Sequence, residues 1–188
     1  MTFSKNEKTN EIIKNILGTG IYLLIILLIT FLLIRFVGQR TKVSGSSMSP
    51  TLSDGDNLIV EKLSYRFGNP KRFDIIVFHP EREQKGVYYV KRIIGLPGET
   101  VQIGTDGTIY INGEVLNENY GKEVILSPGI AKDPITLGED EYFVLGDNRN
   151  NSSDSRSAYV GNVKRSDIVG KAWIRIWPFS KFGKITHS

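Results

Sequence analysis

Three short segments of this chain carry side chains able to do chemistry together. The first is Ser44-Gly45-Ser46-Ser47-Met48-Ser49-Pro50-Thr51, where small, flexible residues lead to a hydroxyl before a Met and a Pro restrict the backbone. It starts ten residues beyond Ile34, the end of a long uncharged apolar run. That placement suits a nucleophile held close to a membrane surface. Taken alone, the string reads also as a Ser/Gly linker behind an anchor.

A serine hydroxyl needs a base to take its proton. The chain has two histidines. His187 is next to the C-terminus, and His79 ends the strand-like run Asp74–His79 before Pro80, a position that reads as structural. A lysine is the other choice. Its ordinary pKa of about 10.4 keeps it charged near neutrality, and a thousandfold rise in acidity, costing about 4 kcal/mol, brings it into working range. Burial in an apolar site does this, so the base should lie in a hydrophobic strand. Tyr88-Tyr89-Val90-Lys91-Arg92-Ile93-Ile94-Gly95-Leu96-Pro97-Gly98-Glu99 is such a segment. By alternation Lys91 shares a face with Tyr89 and Ile93, and Arg92 shares the other with Val90 and Ile94. Both faces are apolar, so periodicity does not choose between the cations. Chemistry does: a guanidinium stays charged in proteins, whereas an ammonium is made neutral by burial. Two snorkelling cations on an ordinary strand remain the alternative.

The third segment is Gly146-Asp147-Asn148-Arg149-Asn150-Asn151-Ser152-Ser153-Asp154-Ser155-Arg156. Arg149 interrupts the alternate ligands that a calcium loop requires. The segment reads either as a surface turn or as a set of partners that orients a lysine amine.

These segments need an element to carry them and a scaffold to bring them together. Asn15–Ile34 contains no charge and lies between Lys14 and Arg35. As a helix its 20 residues reach about 30 Å, the thickness of a bilayer core. The apolar stretch is longer than an export signal's and runs into Arg35-Phe36-Val37, which favours an uncleaved anchor. Lys5, Lys8 and Lys14 on one side balance Arg35, Arg40 and Lys42 on the other, so cation counting leaves the orientation open. Net charge is +4, spread along 188 residues without a basic block, which argues against a nucleic-acid partner. With no cysteine and two histidines, thiolate chemistry and the common zinc sets are excluded, and no metal is expected.

Beyond residue 40 the pattern is β, with strands expected at Asn57–Tyr65, Asp74–His79, Val87–Ile94, Thr108–Ile111, Glu141–Leu145 and Lys171–Trp177. Asp106-Gly107 and Asn112-Gly113 mark turns within a meander from Val101 to Leu116. Asn117–Thr136 is a longer loop or an extra hairpin, and no helical period is seen after residue 40. The fold class is mainly β: an all-β catalytic domain of antiparallel sheets behind one N-terminal transmembrane α-helix. Trp173, Trp177, Phe179 and Phe182 are either core and edge residues or an apolar rim resting on lipid.

Taken together the segments resemble the type I signal peptidases, in the short single-anchor form typical of Gram-positive bacteria. The residues that carry the resemblance are Ser44 to Leu52, then Asp54-Gly55-Asp56 with Leu58-Ile59-Val60, then Arg72-Phe73-Asp74-Ile75-Ile76-Val77-Phe78, Tyr89 to Glu99, and Gly146 to Arg149 with Ser152, Asp154, Ser155 and Arg156. They occur in the family's order from 44 to 156. The resemblance implies a membrane-bound serine endopeptidase that needs no cofactor and removes signal peptides after small residues. It implies a cytoplasmic tail over 1–14, an anchor in the lipid bilayer over 15–37, and an extracytoplasmic β-rich peptidase domain over 38–188. It further implies Ser47 as nucleophile, Lys91 as general base, Ser152 bonded to the lysine amine, Asp154 and Arg156 supporting the site by pairing, and Asp147 ordering the loop. Where some relatives place an oxyanion-holding serine two residues before the nucleophile, this chain has Gly45, which leaves the Ser47 N–H as donor. A membrane-anchored β-domain that only binds, as a scaffold, is the alternative. It leaves the joint presence of the serine and the lysine unexplained.

Overall fold

A computed structural model describes residues 3–36 and 38–185 of the chain. Val37, the expected end of the anchor, and His187 lie outside them. The chain divides into two compact units after Gly38.

The first unit is one helix, α1 (Phe3–Phe36). Its Thr9–Leu32 segment has a mean hydropathy of 2.3 and the length to cross a membrane. Ile and Leu side chains from Ile12 to Leu32 are exposed all around it, as a lipid-facing helix requires and a core helix does not. The helix also takes in most of the expected tail, since Glu7, Lys8 and Glu11 are good helix formers.

The second unit is built from β1 (Gly38–Lys42), β2 (Asn57–Glu61), the single helical turn α2 (Ser64–Phe67), β3 (Ile75–Phe78), β4 (Tyr89–Gly95), β5 (Thr100–Ile103), β6 (Ile109–Ile111), β7 (Glu114–Val115), β8 (Ile135–Thr136), β9 (Glu141–Leu145), β10 (Val163–Lys164), β11 (Ile168–Trp177) and β12 (Gly183–Lys184). An eight-stranded sheet runs β1-β2-β11-β3-β4-β9-β10, with β12 also on β11, and a four-stranded sheet runs β7-β6-β5-β8. The strands pair antiparallel, with Lys91 opposite Ile76 and Arg92 between Ile75 and Leu145. The fold is thus mainly β, as expected. Two expectations change. The first long strand stops at Glu61, because Glu61 Oε1 accepts the Ser64 N–H at 2.6 Å and opens α2. The 117–136 segment forms no hairpin of its own; its last residues add β8 to the edge of β5.

Three buried clusters hold the domain together. Ile94, Val101, Ile103, Phe143 and Leu145 join the two sheets. Ile76, Phe78, Ile93, Tyr142 and Val144 fill the opposite side of the large sheet. Val43, Met48, Leu52, Leu58 and Ile75 form the third, with Val90 packed against it. β4 supplies residues to all three, which makes it the buried centre of the domain. Trp173, Trp177, Phe179 and Phe182 are 42–75% exposed and belong to none of the three.

Candidate active site

Ser47 sits in the loop between β1 and β2. Met48 and Leu52 are fully buried in the third cluster, each worth about 2–3 kcal/mol of apolar burial, and they pin the loop from beneath. The Leu52 N–H donates to Met48 O at 2.8 Å, and Val43 exchanges backbone bonds with Asp56 and Gly55 at the loop's base. Gly45 has φ +92°, a conformation that disfavours any side chain with a Cβ. The departure at this position therefore has a backbone reason. From above, the Asn148 N–H donates to Ser47 O at 2.9 Å, Asn148 Nδ2 to Ser46 O at 3.1 Å and Asn151 Nδ2 to Ser46 Oγ at 3.0 Å. The serine loop is held between its own apolar anchors and the polar segment.

Lys91 reaches it from β4. Its Nζ donates to Ser47 Oγ at 2.8 Å and to Val90 O at 3.0 Å, and it lies 5.2 Å from the centre of the Tyr89 ring. The residue is 4% exposed. Burial lowers its pKa from 10.5 to about 8, against the carboxylates of Asp154 and Asp147, which pull it back up. At pH 7 about one lysine in ten is then neutral, compared with fewer than about one in a thousand at the ordinary value. A neutral amine in hydrogen-bond contact with a hydroxyl can accept its proton.

The polar segment is organised by ion pairs. Asp147 accepts from Arg92 Nε at 2.8 Å and Nη2 at 2.6 Å, and from Thr51 Oγ1 at 2.5 Å. The Arg92 guanidinium is stacked 3.9 Å over the Tyr120 ring. Asp154 accepts from Arg156 Nε and Nη2, both at 2.9 Å, and from the Gly146 N–H at 3.1 Å. Arg156 also donates to the carbonyls of Arg149 and Ser127. Arg149 pairs with Glu118 at 2.7 Å.

A cleft of about 510 Å³ opens over Ser47 and Lys91, walled on one side by Thr41–Ser46 and on the other by Val87–Val90. No hydrogen bond among the described residues uses the Ser47 N–H. His79 has no place in this cleft: its ring lies 5.9 Å from that of Tyr88, and its Nδ1 has no hydrogen-bond partner.

The family model for signal peptidase, peptidase S26, matches residues 7–177. The chain belongs to this family. A probable signal peptidase I-2 of Synechocystis is 43% identical over 155 residues, which are 80% of this chain and 68% of that one. The signal peptidase I of Bacillus licheniformis is 38% identical over 191 residues, 96% of this chain and 98% of its own. A crystal structure of a signal peptidase I from Enterococcus faecalis is similar at 40% identity, over 55% of this chain and 97% of that one, with a TM-score of 0.45. Signal peptidases of this family are membrane-associated serine endopeptidases that remove signal peptides from preproteins.

Ser47 and Lys91 meet directly, Asp154 and Arg156 form an ion pair, and Asp147 ties the polar segment to β4 and to the serine loop. Ser152 differs from expectation. Its Oγ is buried with no hydrogen-bond partner, and the Lys91 amine is turned to Ser47 and Val90 instead. Ser152 is packed on Gly146, where an added Cβ would stand 2.2 Å from the Ser152 oxygen. Sequence reasoning missed Thr51, Glu118 and the Arg92–Asp147 pairing. One signal was available for the last: a guanidinium in a strand apolar on both faces requires a buried anion, and Asp147 stands in the string that faces the site.

Proposed function

We propose that Ser47 is the nucleophile and Lys91 the general base of this signal peptidase, anchored by α1 with its β-domain outside the cytoplasm. The observation that carries the reading is the 2.8 Å contact from Lys91 Nζ to Ser47 Oγ, made by an amine whose burial favours its neutral form. A signal peptide lies extended in the cleft, running between the Thr41–Ser46 wall and the Tyr88–Lys91 wall in the manner of an added strand. Small residues at the first and third positions before the cut fit shallow pockets there.

The neutral Lys91 amine takes the Ser47 proton as Oγ attacks the scissile carbonyl carbon. Negative charge develops on the carbonyl oxygen, for which the unengaged Ser47 N–H is the donor at hand. The Lys91 ammonium then gives its proton to the leaving amine as the peptide bond breaks, which leaves an acyl-enzyme. Lys91, neutral again, deprotonates a water that attacks the ester, and Ser47 Oγ recovers the proton. The buried pairs of Asp147 and Asp154 hold the two strands and loops in register while this occurs.

The test is preprotein cleavage by the full-length chain in detergent or vesicles. Ser47→Ala should lose at least about 10⁴-fold in rate and Lys91→Ala at least about 10²-fold. Full activity in either ends the assignment.

A further inference from the structure

A second cavity, of about 360 Å³, lies on the far side of the serine loop and is lined by Pro50, Thr51, Arg175, Lys181, Gly183, Lys184 and Ile185. Three of these residues are cationic. Arg175 is largely committed: its Nη2 donates to Thr51 O at 2.5 Å, and its Nε stands 3.1 Å from Asp56 Oδ2. The two lysines are not. Lys181 Nζ meets only Ser53 Oγ, at 3.4 Å, and the Lys184 side chain, on the strand paired with β11, has no hydrogen bond or ion pair among the described residues. The cavity lining therefore carries positive charge that no carboxylate of the lining balances, from Lys181 and Lys184.

The same short stretch of chain carries the exposed aromatic residues. Trp177 and Phe179 stack edge to face at 5.0 Å, and Phe182 is 64% exposed next to Lys181. Exposed indole and phenyl rings beside lysines are the composition of a surface that meets a bilayer interface, with rings at headgroup depth and cations at phosphate depth.

We infer that this cavity binds the phosphodiester of an anionic phospholipid, with Lys181 and Lys184 on the phosphate and Trp177, Phe179 and Phe182 among the neighbouring acyl chains. The inference rests on the membrane reading of this chain but not on the assignment of Ser47 and Lys91. The cavity also shares Thr51 with the catalytic loop. Arg175 holds the Thr51 carbonyl, and the Thr51 hydroxyl donates to Asp147, so an occupant would sit against the back of the site.

The chain has two tryptophans, Trp173 and Trp177, both exposed on β11, the strand whose Arg175 lines the cavity, so indole emission reports on this region. The full-length protein is placed in phosphatidylcholine nanodiscs that contain, at equal mole fraction, either phosphatidylglycerol or phosphatidylcholine brominated on its acyl chains. Quenching by the brominated phosphatidylglycerol should be the stronger, corresponding to a local enrichment of about threefold or more. The preference should disappear in the Lys181→Gln/Lys184→Gln variant, whose exposed side chains carry no fold, while quenching by brominated phosphatidylcholine persists. Millimolar inorganic phosphate should leave the preference intact. Equal quenching by the two lipids in the unsubstituted protein overturns the proposal, as does no quenching by either, or a preference that survives the double substitution. Loss of the preference on adding phosphate assigns the cavity to a free anion instead. None of these readings requires cleavage, so failure of the peptidase mechanism would be seen separately.

Discussion

Arg92 and Asp147 form a two-point ion pair in which neither side chain is more than 1% exposed, with N–O distances of 2.8 and 2.6 Å. Arg92 is the neighbour of Lys91 on β4, and Asp147 stands beside Asn148, whose N–H holds the Ser47 carbonyl. The pair thus joins the strand of the amine to the loop that clamps the hydroxyl. The two adjacent cations of β4 have opposite tasks on opposite faces. One is fully neutralised by an anion, and the other is left without one in direct contact, which keeps its amine easy to deprotonate.

Removing one partner of a buried pair leaves the other as an uncompensated charge. Asp147→Ala should destabilise the domain by about 3–5 kcal/mol, read as a lowered denaturation midpoint. Arg92→Lys, with Asp147 in place, should also lower the midpoint, because an ammonium does not reproduce the two-point geometry.

Lys91 has the opposite relation to stability. Its folded-state pKa of about 8 lies below the ordinary 10.5. Below pH 8 both folded and unfolded chains hold the proton, so the full desolvation penalty is present. Between 8 and 10.5 the unfolded chain binds more protons, and stability rises with pH until the penalty is gone. Lys91→Met should therefore stabilise the domain at pH 7 by up to about 3 kcal/mol, and the gain should fade towards pH 10.5. Thermal unfolding of both forms across this range checks it; a gain independent of pH would contradict it.

Gly146 is a packing constraint on catalysis. An added Cβ there would stand 2.5 Å from the Ser47 carbonyl oxygen and 2.2 Å from Ser152 Oγ. The first of these is backbone and moves only if Ser47 moves. Gly146→Ala should then lower preprotein cleavage by about 100-fold or more, with the circular dichroism spectrum of the β-domain retained.

Much of this site was legible from residue types. A serine after a short flexible lead and a lysine in an apolar strand offer a candidate nucleophile and a candidate base, because burial is the one cheap way to make an amine neutral. The strand centres at Ile75–Phe78, Glu141–Leu145 and Val90–Ile94 follow from their β-branched and aromatic content. What stayed hidden depends on contacts far apart in the chain. Arg92 meets Asp147 across 55 positions, and Arg149 meets Glu118 from a loop with no period to read. The Ser152 orientation was hidden for another reason: a hydroxyl has several rotamers, and the string Gly146–Arg156 does not say which of them Gly146 packs against. The α2 turn depends on one side-chain bond, from Glu61 to the Ser64 N–H, inside a run whose composition favours a strand.

The most direct measurement of the central claim is the pH dependence of kcat/KM for preprotein cleavage, which reports the ionisation of the free enzyme's base. If Lys91 is that base, the rate should rise with pH through an apparent pKa of about 8, and His79→Ala should leave this limb in place. A limb near the ordinary histidine value of about 6.5 that vanishes in His79→Ala would contradict the account.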